Sequence, residues 1–342
     1  MSAIAQKSGI SALCIGPLAL DGRAFLAPMS GVTDIGMRRI ARRFGASLVV
    51  SEMVASDDYA RGGAEARLRA EGSGVDPHVV QIAGCQPRWM AEAARLAEAS
   101  GAAVVDINMG CPAKRVTGGY AGSALMRDLD VALQLIEATV SAVKIPVTLK
   151  MRLGWDERSL NAPELARRAE AAGVRLVTVH GRTRCQFYTG KANWAAVSAV
   201  KAAVIIPVVV NGDCEDLDGA RQMLAQSGAD AVMIGRAAVG RPWLVGAIAK
   251  GLATGRQPAP PPAAERADAA CDHLDSLIAT MGAAKGLRHA RKHLSAYALH
   301  AGADDPMRLR LVTSDSPAEV FRLLREVFAG AGAHIAPALV AA

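Results

Sequence analysis

Eight short aliphatic runs recur between Arg23 and Gly235, and they limit what this chain can fold into more than any other feature. They span residues 23–28, 47–52, 78–83, 103–108, 146–151, 175–180, 207–211 and 230–235. Runs this short and this continuously apolar suit parallel strands covered on both faces. Ala- and Arg-rich stretches with helical spacing lie between them, as at 87–100 and 163–172. Gly101, Gly173 and Gly228 follow such stretches where helix C-caps are needed. Strand and helix alternating eight times predict an α/β fold, a (β/α)8 TIM barrel. A doubly wound open sheet is the alternative, but no GxGxxG follows the first strand.

The pattern changes after Trp243. Gly255-Arg256-Gln257-Pro258-Ala259-Pro260-Pro261-Pro262 reads as stiff, extended chain. Beyond it, Leu, Ala, Arg and His recur at helical spacing without a strand-like run. The organisation expected is a barrel over 1–245, a Pro-rich linker over 246–264 and a C-terminal all-α helical domain over 265–342. Residues 331–342, low in complexity, are expected to fray. With only 4% aromatic residues, the core must be built from Ala, Val, Leu and Ile. The formal charge of +7 favours an anionic partner. Six cysteines without a CxxC pair make neither a zinc framework nor a disulfide scaffold, and suit a reducing cytoplasm. No apolar stretch long enough to span a membrane appears, and the N-terminus lacks the pattern of a signal peptide.

Chemistry in a barrel gathers at the C-terminal ends of the strands, and the polar residues of this chain follow that rule. The strand ends carry Pro28-Met29-Ser30, Ser51-Glu52, Gln81, Asn108 with Cys111, Lys150 with Arg152, His180 with Arg182 and Arg184, Asn211-Gly212-Asp213, and Gly235-Arg236. A barrel without chemistry has no reason to place polar groups at the same end of every strand, so an enzyme is expected. The glycines after strands seven and eight, with Arg236, suit a phosphate-bearing cofactor. Lys150 sits in an apolar run and needs a partner: an acid such as Glu52, or a bound anion or electron-rich ring. Asn108-Met109-Gly110-Cys111-Pro112 presents a thiol on a turn, with Lys114 and Arg115 following; a buried, inert cysteine is the competing reading. His289 and His293 stand at i, i+4, but no HExxH glutamate accompanies them, and they are read as facing the anionic partner or as surface residues rather than metal ligands.

Five of these segments carry a family resemblance. They are Ala27-Pro28-Met29-Ser30-Gly31-Val32-Thr33-Asp34, Asp106 to Pro112, Leu149-Lys150-Met151-Arg152-Leu153-Gly154-Trp155, Val179-His180-Gly181-Arg182-Thr183-Arg184 and Asn211-Gly212-Asp213. Together they resemble the signatures of the tRNA-dihydrouridine synthases, in particular the bacterial DusB branch. The resemblance is dense from Leu20 to Trp243 and looser over the helical domain. It implies a flavoprotein that uses FMN, with NADPH or NADH as reductant, to reduce the C5–C6 bond of a D-loop uridine in tRNA, position 17 in this branch. It assigns Cys111 as the catalytic proton donor to C5. Pro28, Met29 and Ser30 would underlie the flavin, Gln81, Lys150 and His180 would contact its ring, and Asn211, Gly212, Asp213, Gly235 and Arg236 would hold its phosphate. Asn108 would meet the uracil edge, and Arg182 and Tyr188 the flipped nucleotide. Lys114, Arg115, Arg184, Lys191, Arg288, Arg291 and Lys292 are candidates for the tRNA backbone. No metal ligand, membrane or stable protein partner is implied. Two other readings are a flavin barrel acting on a free pyrimidine, as in dihydroorotate dehydrogenases, and a non-catalytic RNA-binding regulator. The cationic helical appendage argues against the first, and the intact set of Cys111, Lys150 and Arg236 against the second.

Overall fold

A computed structural model describes residues 12–330. The tail expected to fray, 331–342, and the N-terminal eleven residues lie outside the described residues. Eight strands form the barrel: β1 Ala24–Leu26, β2 Leu48–Val50, β3 His78–Ala83, β4 Val104–Met109, β5 Val147–Arg152, β6 Val177–His180, β7 Val208–Asn211 and β8 Ala231–Ile234. Every adjacent pair is parallel. The sheet closes where β8 pairs with β1 (Val232 opposite Ala24) and β2 with β3 (Val49 opposite His78). Each predicted run thus supplies one strand.

Side-chain parity explains how one barrel holds both a dry core and a polar mouth. Leu26, Val49, Val80, Val105, Leu149, Val177, Val210 and Val232 belong to the cluster shared with the surrounding helices. Their neighbours Phe25, Leu48, Val79, Val104, Leu176, Val209 and Ala231 belong to a second cluster inside the barrel. Period two then carries Gln81, Asp106, Asn108, Thr148, Lys150, Arg152, Thr178, His180 and Asn211 inward, towards the C-terminal ends. The antiparallel hairpin Cys14–Ile15 with Leu18–Ala19 seals the other end through Ile15 and Leu20.

The outer ring comprises α1 Ile35–Arg43, α2 Pro87–Ala99, α3 Leu129–Ala142, α4 Ala162–Ala171, α5 Ser198–Ala203, α6 Leu217–Ser227 and α7 Trp243–Thr254, with two short helices, Ser56–Ala60 and Ala64–Ala70, after β2. Asp34, Asp128 and Asp216 cap α1, α3 and α6 through backbone N–H groups. Gly228 closes α6 at φ 65°, a backbone state that Gly adopts without steric cost.

Among the described residues four helices follow: α8 Ala263–Met281, α9 Ala283–His300, α10 Asp305–Thr313 and α11 Pro317–Gly330. Their buried cluster includes Ile40 of α1 and Trp243 of α7, so the helical domain is packed on the barrel. Trp243 stacks on Tyr297 at 6.2 Å between ring centroids and meets Phe44 edge-on at 6.0 Å. One boundary differs from expectation. Residues 246–254, assigned to the linker from sequence, continue α7 and bury Ile248 and Ala249 against the barrel. Among the described residues, no helix is long and apolar enough to cross a membrane.

Candidate active site

Register decides which polar side chains meet. Gln81 on β3 donates from Nε2 to Asp106 Oδ2 (2.7 Å) and accepts at Oε1 from Asn108 Nδ2 (2.8 Å). Thr148 on β5 donates to Asp106 Oδ1 (2.6 Å). Asp106 is 4% exposed, and burial raises its pKa despite the bonds from Thr148 and Gln81 and the charge of Lys150. Sequence reasoning missed this carboxylate because it lay inside an apolar run. Its parity with Asn108, two residues on, is the signal that could have found it.

Lys150 donates to Asn211 Oδ1 (3.1 Å), and Asn211 Nδ2 donates to the Met233 carbonyl (2.8 Å). Glu52 is not the lysine's partner: it accepts from the Gly31 N–H in the loop after β1. Burial and the Arg152 charge press the Lys150 ammonium down to about 8, opposed in part by Asp106. His180 is neutral: burial and the charges of Lys150, Arg152 and Arg182 hold it well below its ordinary value. Its Nε2 faces Arg182 Nη1 at 3.3 Å, and arginine can only donate, so the ring proton is assigned to Nδ1.

The Cys111 turn is fixed from both sides. Asn108 Oδ1 accepts from the N–H groups of Gly110 (3.1 Å) and Cys111 (3.0 Å). The Cys111 carbonyl accepts from Ser123 Oγ (2.8 Å) and N–H (3.1 Å). Gly122, at φ 60°, passes so close that a Cβ there would lie 2.8 Å from the Cys111 carbonyl oxygen. The thiol itself is half-buried, so the inert-core reading of Cys111 does not hold. Asn108, expected to read a uracil edge, spends most of its amide on shaping this turn and keeps one N–H for a ligand.

Arg182 requires a larger correction. Nε donates to Thr189 O (3.2 Å), Nη1 to Asp213 Oδ1 (3.0 Å) and His180 Nε2 (3.3 Å), and Nη2 to Gly190 O (2.6 Å) and Asp213 Oδ2 (2.6 Å). All five guanidinium N–H groups are therefore spent, and the residue is 1% exposed. It is a clamp on the β6 and β7 loops, not a substrate contact. Asp213 is correspondingly the clamp's carboxylate, held at φ 55° and also bonded to Arg236 Nη2 (3.1 Å). Gly212 stands at φ 118°, where a Cβ would lie 2.9 Å from the His180 ring. Arg152, unassigned from sequence, binds the carbonyls of Gly110, Thr183 and Phe187, each at 2.8 Å, tying the β4 and β6 loops together.

The remaining residues surround this ring. Pro28, Met29 and Ser30 form the β1 turn, and the Met29 sulfur lies 3.8 Å from where a Gly235 Cβ would stand. Tyr188 is 53% exposed, with its ring 6.3 Å from that of His180 and the guanidiniums of Arg152 and Arg236 at 5.5 and 5.2 Å. Arg236 itself is largely exposed. Lys114 and Arg115 are exposed on a short helix, Lys114–Thr117. Arg184 is half-buried and stacks on Trp155 and Phe187, both at 4.6 Å. Lys191, Arg288, Arg291 and Lys292 are exposed, and Lys292 Nζ approaches Gly31 on the barrel side of the domain junction. His293 is not at the surface as expected: it is 1% exposed, beneath α9 against Asp34 and His273.

Fold and site together define a (β/α)8-barrel enzyme with an amide- and lysine-lined mouth, a thiol on its rim and a helical domain beside it. The chain belongs to the dihydrouridine synthase (Dus) family, whose model matches residues 25–329. It is 52% identical over 320 residues to a probable tRNA-dihydrouridine synthase of Rhizobium leguminosarum bv. phaseoli, covering 92% of this chain and 98% of that protein. It is 46% identical over 326 residues to tRNA-dihydrouridine synthase B of Xanthomonas axonopodis pv. citri, covering 95% and 98%. Among solved structures, histamine dehydrogenase from Rhizobium sp. 4-9 superposes with a TM-score of 0.53 at 15% identity, over 78% of this chain and 50% of that one. The 6-hydroxypseudooxynicotine amine oxidase of Pseudomonas geniculata N1 does so at 0.54 and 15%, over 72% and 50%. The chain spans about half the length of these two solved chains, and the likeness shows the barrel fold.

Proposed function

We propose that this protein reduces the C5–C6 double bond of a uridine in tRNA, with FMN seated across the barrel mouth and NADPH or NADH as the reductant. The observation that carries the reading is the chemistry of the ring around Lys150. After the internal bonds are counted, Gln81 and Asn108 each keep one N–H, Lys150 keeps two, and the assigned tautomer of His180 offers Nδ1–H. A mouth that offers donors beside one lysine suits an acceptor-rich, electron-rich ring such as the isoalloxazine of FMN. Gly212, Gly235 and Arg236 suit its phosphate, because Arg182 and Arg236 neutralise the Asp213 carboxylate that would otherwise repel it.

FMN held there and reduced by NADPH or NADH would supply two electrons as hydride for uracil C6. Lys150 would stabilise negative charge on a ring bound beside it, which makes its charged form less costly. Cys111 gives its thiol proton to C5, completing the addition of hydride and proton across the former double bond; solvent restores the thiol. Asn108 holds the thiol's turn in place, and Tyr188, exposed beside His180, would stack on an extruded base. Lys114, Arg115, Lys191 and the exposed cations of α9 meet tRNA phosphates. A free-pyrimidine substrate would leave these cations without a role. Uridine 17 of the D-loop is the position proposed. The test is direct: purified protein should be yellow with bound FMN, and tRNA from a strain lacking it should lose dihydrouridine at position 17. A flavin-free protein that cannot be reconstituted with FMN, together with unaltered tRNA, would reject the assignment.

A further inference from the structure

The junction between the domains holds a group of side chains that the proposed chemistry does not use. Asp34 precedes α1 on the barrel side, His273 lies on α8 and His293 on α9. One potential ligand atom from each falls within 4.8 Å of the others. The three are 7%, 1% and 1% exposed. His273 Nε2 is 3.0 Å and His293 Nε2 3.7 Å from Asp34 Oδ2, and the two imidazole centroids are 4.5 Å apart.

A hydrogen-bonded cluster accounts for part of this arrangement but not all of it. One proton on His273 serves Asp34, and Tyr297 OH meets His273 Nδ1 at 3.1 Å. Asp34 Oδ1 also accepts from the Met37 N–H. Among the described residues nothing serves His293: both ring nitrogens are buried without a hydrogen-bond partner. A buried polar group in that state is costly unless something else satisfies it. The atoms facing its Nε2 are the Asp34 carboxylate and the His273 ring, so its lone pair is aimed into the cluster.

We propose that Asp34, His273 and His293 bind one divalent transition-metal ion of the zinc class, which ties the helical domain to the loop after β1. One carboxylate oxygen and two imidazole nitrogens suit Zn²⁺ or Co²⁺ rather than Ca²⁺ or Mg²⁺, which take oxygen-rich shells. Tyr297 and Met37 orient the ligands from behind, as partners of metal-bound residues do. His289, one turn earlier on α9, has a buried Nε2 that also lacks a partner among the described residues, and its ring lies 6.4 Å from that of His293. The ligands come from three separate segments and are shielded from solvent, so the ion would be structural, captured as the domains dock. The reading does not depend on the flavin or the tRNA substrate.

The full chain, purified without chelator, is assayed for bound metal by plasma mass spectrometry, then stripped and titrated with Zn²⁺ and Co²⁺. The expected result is one zinc-class ion per chain and saturable Co²⁺ uptake with weak visible bands and no strong thiolate charge-transfer band, since no cysteine is in the set. His293→Gln keeps the size and polarity of the side chain but ligates poorly; it should fold with unchanged circular dichroism and lose roughly a hundredfold or more in Co²⁺ affinity. Asp34→Asn should behave alike. A chain that is metal-free as purified and whose Zn²⁺ and Co²⁺ uptake matches that of His293→Gln overturns the proposal, and a buried water is then the partner of His293.

Discussion

Replacing Lys150 with Met separates what the residue costs the fold from what it contributes to the site. Its ammonium is depressed from an ordinary 10.5 to about 8, chiefly by burial. A drop of that size corresponds to about 3 kcal/mol against keeping the charge in the folded protein at neutral pH. Methionine has similar length and no charge to desolvate. The substitution forfeits the bond to Asn211 Oδ1, worth about 1 kcal/mol. Flavin-stripped Lys150→Met should therefore be more stable than the parent by about 2 kcal/mol at pH 7. The sign of the pH dependence is fixed. Between about 8 and 10.5 the unfolded lysine still binds its proton while the folded one has released it, so the parent gains stability as pH rises through that window. The variant's advantage should shrink above pH 8 and be gone near pH 10. Urea unfolding of both proteins at pH 7 and pH 9.5 checks this, because other titrating groups cancel in the difference. A variant less stable than the parent at pH 7, or a gap that does not change with pH, refutes the account of Lys150 as a strained, ligand-seeking cation. The same variant should bind FMN more weakly, and the parent should lose its stability deficit when FMN is added.

Three further outcomes follow from the geometry. Cys111→Ala should keep FMN and tRNA binding and lose dihydrouridine formation by about 10²–10⁴-fold in single-turnover assays; full activity on unmodified tRNA would remove Cys111 as the acid. Arg182→Lys cannot reproduce five donors in a fixed fork and should lower stability by about 3 kcal/mol in urea unfolding, since it strips the bidentate pair from Asp213, leaving it Arg236 and the Ala192 N–H, and takes the donors from the Thr189 and Gly190 carbonyls. An unchanged midpoint would show that the clamp is dispensable. Asp106→Asn preserves shape but cannot accept from both Gln81 and Thr148 with the same geometry; a stability loss of about 1–3 kcal/mol and weaker FMN binding are expected, and unaltered flavin titration would sever Asp106 from the site.

The eight runs and their polar tips were legible in one dimension because both are local. Strand formation and parity depend on residues one or two positions apart, so the apolar periods alone determined a barrel with its chemistry at one end. The Cys111 turn was equally visible, since its small and polar residues are consecutive. The family-like motifs named the residues of the mouth, but not their partners. Arg182 read as a substrate contact until the loops after β6 and β7 came together and consumed its donors. Asp106 disappeared into its run, because only the register of β3 and β5 shows that Gln81 and Thr148 reach it. Residues 246–254 passed for linker because their apolar spacing has meaning only against the barrel wall they cover. His293 was placed at the surface for the same reason. Its environment is assembled by the docking of a second domain, which brings His273 to Asp34 across 239 positions of sequence. Near neighbours in the chain thus determined the scaffold and where its chemistry lies, while the hydrogen-bond partners, the clamp and the buried Asp34–His273–His293 cluster were decided only by tertiary structure, because a buried polar group is satisfied by whatever packing brings to it and not by what precedes it in sequence.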